Sequence, residues 1–359
     1  MNKVSSGTTV TEVVIVGGGP IGLELAAALA EVDVDYRLLE ARQIGHTIST
    51  WPRHTHFYST AERIAIAGVP IPIVDHEHIT GEQYLAYLRT VAQQFDLQIN
   101  AYERVTAVEP IDDTFRLRTR TRIGEQEYES QHVVLATGDM SSPKKLGIPG
   151  EGLSNVSHRL DDPHRYFGQR LLVVGGGNSA LEFAARCWRA GADVTLSYRR
   201  AKFNPLFVKS RLIEDFRTLR REDKITFLPR TTPIEIGPTS VTLAPTRSGE
   251  PVDGERTEHP TDFVLLCTGY VADLNLFEQA GVTIEGPPGM IPRFDPDTME
   301  TNVPGLYVAG TAASGQQARH RLFIETSHHH VTRIVESISG RTPTRVNRLV
   351  PEGPTDLSL

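Results

Sequence analysis

Cysteine is nearly missing from this chain: Cys187 and Cys267 are the two thiols in 359 residues. That excludes a disulfide scaffold and points to a reducing compartment, the cytoplasm. Excess positive charge is missing too. Lys and Arg number 37 against 44 Asp and Glu, a formal net charge of -7, so no basic field exists to gather nucleic acid or lipid headgroups, and neither partner is expected. An unbroken apolar run is also absent. Residues 13–32 are nearly free of charge over a length that could cross a bilayer, yet three consecutive glycines and Pro20 divide them into a strand and a helix. Only Lys3 stands upstream, where a signal peptide would carry a basic flank. At about 150 residues per domain, the length suits two ordinary domains.

What is present comes twice. TEVVIVGGGPIGLELAAALAEVDVDYRLLE runs from Thr11 to Glu40, and QRLLVVGGGNSALEFAARCWRAGADVTLSYRR from Gln169 to Arg200. Each reads as a strand entering a glycine turn, then a helix, then a second strand, a βαβ unit. Gly17 and Gly175 permit the tight turn; Gly19 and Gly177 let the backbone approach a pyrophosphate; Gly22 and Ala180 let helix and strand pack closely. The residues that open each helix, Pro20 in the first and Asn178 and Ser179 in the second, then present free N–H groups and a positive dipole end to an anion.

The two second strands end differently. Glu40 places a carboxylate where the ribose hydroxyls of an unphosphorylated dinucleotide would sit, which suits FAD. Arg199 and Arg200 place guanidiniums where a 2′-phosphate would sit, which suits NADPH.

After each unit comes a hydrophobic strand ending in Thr-Gly: HVVLATGD (132–139, with Thr137 and Gly138) and FVLLCTGY (263–270). Before them lie FRLRTRT, with arginines on a solvent-facing edge, and a turn-rich stretch from Pro233 to Pro260; both read as antiparallel meanders. GLYVAGTAASG (305–315) adds a third glycine turn at Gly310 and Thr311, and ARHRLFIETSHHHVTRIVESI after it has helical periodicity. The expected architecture is α/β, with two Rossmann-like dinucleotide-binding domains, the second inserted into the first. Crossovers near Gly138 and Tyr270 give 1–140 with 271–359 for FAD and 141–270 for NADPH.

These features together resemble the two-dinucleotide flavoproteins over almost the whole chain, and the low-molecular-weight thioredoxin reductase branch in particular. WPRHTHFYSTAERIAIAGVPI (51–71), FNPLFVKSRLIEDF (203–216) and METNVPGLYVAGTAASG (299–315) are most similar to the YpdA-like family of bacillithiol-disulfide reductases. The resemblance implies FAD held by the N- and C-terminal parts, NADPH by the middle part, a small disulfide or other electron acceptor, and a homodimer or homotetramer. It also implies no Cys-x-x-Cys, in keeping with SHRLDDPHRYFGQR (157–170), which has no cysteine where thioredoxin reductases carry their pair. Two departures stand out. Some family members have a cysteine beside the last glycine of the first motif, where this chain has Ile21, so reduction through that thiol is ruled out. An acid usually follows the glycine of the third motif; here Thr311 supplies a hydroxyl that can still hydrogen-bond.

Cys187 and Cys267, each among apolar neighbours, read as buried hydrophobes. Proton donors are sought among His54, His56, His158 and His164, which by resemblance border the flavin cleft. The triplet His328–His329–His330 excludes a single metal, because consecutive helical residues point in three directions. Two other functions compete. A flavin monooxygenase would carry F-x-G-x-x-x-H-x-x-x-Y/F before the second glycine motif, yet counting from His158 puts Gly152, Ser154 and Asp162 at those positions, and from His164 puts His158, Leu160 and Gly168. A flavin-binding redox sensor or electron carrier would have no use for a second, hydride-delivering nucleotide domain.

Overall fold

The computed structural model describes residues 8–74, 78–286, 290–316 and 322–348. The chain divides into two units. Among the described residues, one comprises 8–50, 54–142 and 270–348, and the other 143–269 with Trp51–Arg53.

In the first unit, β1 (Thr9–Val16), β2 (Tyr36–Glu40), β3 (Ile99–Ala101), β4 (Arg104–Ile111), β5 (Thr114–Arg120) and β6 (Glu125–Leu135) form a sheet in the order β3-β2-β1-β6-β5-β4. The long β6 does two jobs. Its first half pairs antiparallel with β5, and its last three residues pair in parallel with Leu306–Val308, a strand that arrives only after the second unit has been made. Val13, Val14, Ile15, Val133, Val134 and Leu135 are all fully buried, as expected of parallel strands covered on both faces. The meander keeps one wet face: Phe115, Leu117 and Thr119 point inward, while Arg116, Arg118 and Arg120 are exposed and pair with Glu127, Glu109 and Glu125.

Helix α1 (Pro20–Glu31) starts at Gly19 with Pro20 in its first turn and is buried on every side from Ile21 to Leu29. Such a helix shows little amphipathic pattern, which is why the sequence reads as one apolar block. Among the described residues no helix is long and apolar enough to cross a membrane.

The second unit is a parallel five-stranded sheet in the order Ile225–Pro229, Asp193–Tyr198, Arg170–Gly175, Phe263–Cys267, Val156–Ser157. The helices Asn178–Arg189 and Ser210–Arg221 cover one face through Leu181, Ala184, Ile213, Phe216 and Leu219. The stretch from Pro233 to Pro260 forms antiparallel strands, Thr231–Ile236 against Ser240–Arg247 and Ser240–Arg247 against Thr257–Pro260.

The helical periodicity read from Ala318 onward is only partly realised. The helix runs from His328 to Ser339, preceded by a short 3-10 turn at Ile324–Thr326, while residues 318–321 lie outside those described. The break falls at Ser327, whose hydroxyl turns back to the Phe323 carbonyl at 2.7 Å, a local bond that competes with continuing the helix.

Candidate cofactor sites and redox chemistry

Three turns meet at the C-terminal end of the first sheet, where open α/β sheets bind ligands. At Gly17 (φ +116°) a Cβ would stand 2.4 Å from the Ala136 carbonyl oxygen, and at Gly22 it would stand 2.0 Å from that of Gly17. Both are forced by backbone contact. Gly19 is different: no atom lies within 4 Å of where its side chain would be, and its φ of -76° suits any residue. Its lack of a side chain leaves room for something the chain itself does not supply. A Cβ on Gly310 (φ +68°) would stand 3.4 Å from Ile21 Cβ, and one on Gly138 (φ +73°) would stand 3.7 Å from the Thr311 hydroxyl. The Thr137 hydroxyl is buried at this junction with no hydrogen-bond partner among the described residues. An orphaned buried hydroxyl costs free energy unless a ligand satisfies it.

Glu40 accepts the Gly18 N–H at 2.7 Å through Oε2 and the Arg42 N–H at 2.7 Å through Oε1. The carboxylate therefore fixes the glycine turn while keeping lone pairs for ribose hydroxyls. Glycine cradle, open Gly19 and oriented Glu40 fit the adenosine diphosphate half of FAD, and the orphaned Thr137 hydroxyl fits a polar group elsewhere on the same cofactor.

The second unit repeats the pattern. A Cβ on Gly175 would meet the Cys267 carbonyl oxygen at 2.4 Å, whereas Gly177 faces open space. Ala180 is fully buried and takes the third position with its methyl group accommodated. The Asn178 side chain accepts the Lys209 N–H at 2.9 Å, bracing the loop before the next helix, and Ser179 is exposed. Arg199 and Arg200 are held by their backbones: the Thr246 hydroxyl donates to the Arg199 carbonyl at 2.6 Å, and the Arg230 N–H to that of Arg200 at 3.3 Å. Their exposed side chains lean on Gly249, and Arg199 lies 3.9 Å from Glu250.

The two thiols are free, and burial pushes both up, Cys187 to about 12. Thiols held protonated are poor nucleophiles, so neither serves as a relay.

His54 and His56 are exposed in the first unit; His54 has φ +60° and its N–H donates to Glu82 at 3.0 Å. In the second unit His164 is exposed, while His158 lies 3.4 Å from Glu151. Burial lowers the His158 pKa, with Glu151 opposing, so the ring tends to neutrality.

Motif spacing does not mark Glu24, and it brings out His328 and His330 only within a triplet unsuited to a single metal. Glu24, fully buried on α1, accepts the N–H groups of Ala67 (3.0 Å) and Asn347 (2.8 Å) through Oε1 and contacts His328 Nδ1 at 2.6 Å through Oε2. His330 accepts the Gly310 N–H at 3.1 Å. Their one available signal is a charged residue inside an otherwise apolar helix.

Two nucleotide-binding sheets, each with its own glycine turn, define a flavin- and nicotinamide-dependent oxidoreductase. Residues 14–310 match the model of the pyridine nucleotide-disulphide oxidoreductase family, and the chain belongs to that family, which uses FAD and NAD(P)H. The bacilliredoxin reductase Bdr of Bacillus subtilis (strain 168) is 32% identical over 329 residues, 91% of this chain and 97% of that protein. The solved bacillithiol disulfide reductase Bdr (YpdA) from Bacillus cereus superposes with a TM-score of 0.86 at 31% identity, over 93% of this chain and 100% of the other. A ferredoxin–NADP reductase of Ignicoccus hospitalis is 28% identical over 305 residues, 83% of this chain and 89% of that protein.

Proposed function

We propose that the chain is a cytoplasmic NADPH-dependent reductase of a small disulfide of the bacillithiol class, working through FAD as a homodimer or homotetramer. The overall change is NADPH + H⁺ + RSSR → NADP⁺ + 2 RSH. The observation that carries the choice of NADPH is the contrast between the two strand ends: Glu40 in one unit, the pinned and exposed Arg199 and Arg200 in the other. A carboxylate repels a 2′-phosphate, whereas paired guanidiniums bind it bidentately.

In this reading Gly17, Gly19, Pro20, Gly22 and Glu40 hold the adenosine diphosphate half of FAD, and Thr137, Gly138, Gly310 and Thr311 its remaining parts. Gly175, Gly177, Asn178, Ser179, Ala180, Arg199 and Arg200 hold NADPH. Bound FAD supplies the two-electron transfer chemistry that the side chains lack. The extra proton comes from solvent or from His54, His56 or His164; His158 is the least suited, because burial disfavours its charged form. The relatives' names also support a second acceptor, a ferredoxin.

The test has two arms. Arg199→Glu with Arg200→Glu raises KM for NADPH far more than for NADH, and equal effects would refute the assignment. Protein reduced with NADPH is then mixed with bacillithiol disulfide, other disulfides, quinones, ferredoxin and oxygen, and the flavin absorbance is followed. Bacillithiol disulfide is expected to reoxidise it fastest; fastest reoxidation by ferredoxin would select the second acceptor.

A further inference from the structure

The His triplet has no part in the metal or proton chemistry considered so far, yet two of its members are buried. His330 lies on the helix His328–Ser339, which packs against α1. The buried Gly310 N–H donates to His330 Nδ1 at 3.1 Å. A backbone N–H can only donate, so Nδ1 must be unprotonated, and a neutral ring carries its proton on Nε2. Burial, reinforced by His329, Arg333 and His328, pushes this histidine well below its ordinary value, which keeps the acceptor available.

Gly310 is no ordinary backbone position. It adopts φ +68°, stands on Ile21 of the first glycine motif, and delivers Thr311 to Gly138 of the second turn. Whatever fixes its peptide plane fixes how the three turns face one another.

We propose that His330 is a positioning residue for FAD, holding the Gly310–Thr311 turn against the other two by accepting the Gly310 N–H. It acts through Gly310. The inference rests on the FAD reading of these turns, and the two fail separately: a wild-type chain that takes up no FAD sinks the reading, whereas a wild-type chain that binds FAD leaves His330 to be judged by its variants.

Apoprotein of wild type, His330→Leu and His330→Asn is titrated with FAD, and the dissociation constant is read from flavin fluorescence. His330→Leu, which has no acceptor, is expected to weaken FAD binding about tenfold or more, the scale of one buried hydrogen bond. His330→Asn, whose Oδ1 can take the place of Nδ1, is expected to recover binding to within about threefold. Unchanged affinity in His330→Leu, or equal loss in both variants, overturns the proposal. Where the leucine variant does not fold, wild-type holoprotein labelled with ¹⁵N-histidine decides the matter: an unprotonated Nδ1 on His330 is required, and a protonated one refutes it.

Discussion

At the residue scale, two glycines that follow the same strand do unlike work. Gly22 is enforced by the fold: a methyl group there collides with the Gly17 carbonyl, backbone against backbone. Gly22→Ala is expected to destabilise the first unit by about 3 kcal/mol, measured by denaturant unfolding of the apoprotein. Gly19 is not enforced by the fold, since its φ is ordinary and its surroundings are open. Gly19→Ala is expected to leave the apoprotein's unfolding midpoint unchanged while weakening FAD binding about tenfold, because the added methyl occupies ligand space. Matched losses of stability and affinity in both variants would contradict this division. The glycines were legible in the sequence because a turn is local and its spacing carries the geometry. His330 was not, because its partner is a backbone N–H twenty residues away, and backbone groups leave no mark in a sequence.

At the element scale, the helix His328–Ser339 carries two histidines that titrate in opposite directions. His328 faces Glu24, Glu325 and the Arg63 carbonyl; burial pulls its pKa down, but these three partners together outweigh it and the net shift is upward. Its stabilising contribution is complete below the unfolded value of about 6.5 and is lost as pH rises through the higher folded value. For His330 the folded value is depressed, so its neutral form costs stability as pH falls below about 6.5. His328→Asn should therefore reduce stability more at pH 6 than at pH 9, read from paired denaturant curves; a larger deficit at pH 9 would reject the ion pair. This helix also shows where pattern reading stops. Periodicity speaks to how the three histidines point, but Glu24 lies 304 residues from His328, inside a stretch that reads as uniformly apolar. The helix start was likewise hidden, because the local bond from the Ser327 hydroxyl to the Phe323 carbonyl interrupts the expected helix without disturbing its apolar periodicity.

At the scale of the whole molecule, the two glycine turns belong to separate units, so damage to one is expected to leave the other intact. Gly177→Ala, at a position as open as Gly19, should purify yellow with normal FAD content while its KM for NADPH rises; a colourless protein would show the sites to be interdependent. The insertion itself was legible, since the glycine units and Thr-Gly strands come in a fixed order. The same arrangement sets a timetable for biogenesis. Leu306–Val308 pairs with the end of β6, yet the ribosome reaches Leu306 about 170 residues after Leu135, roughly 10–30 s later at ordinary translation speed. Through that interval a naked hydrogen-bonding edge waits on the nascent host, while the guest sheet emerges with all its strands. Birth order thus runs from the inside out, and a message truncated before codon 306 should yield a polypeptide that holdase chaperones retain.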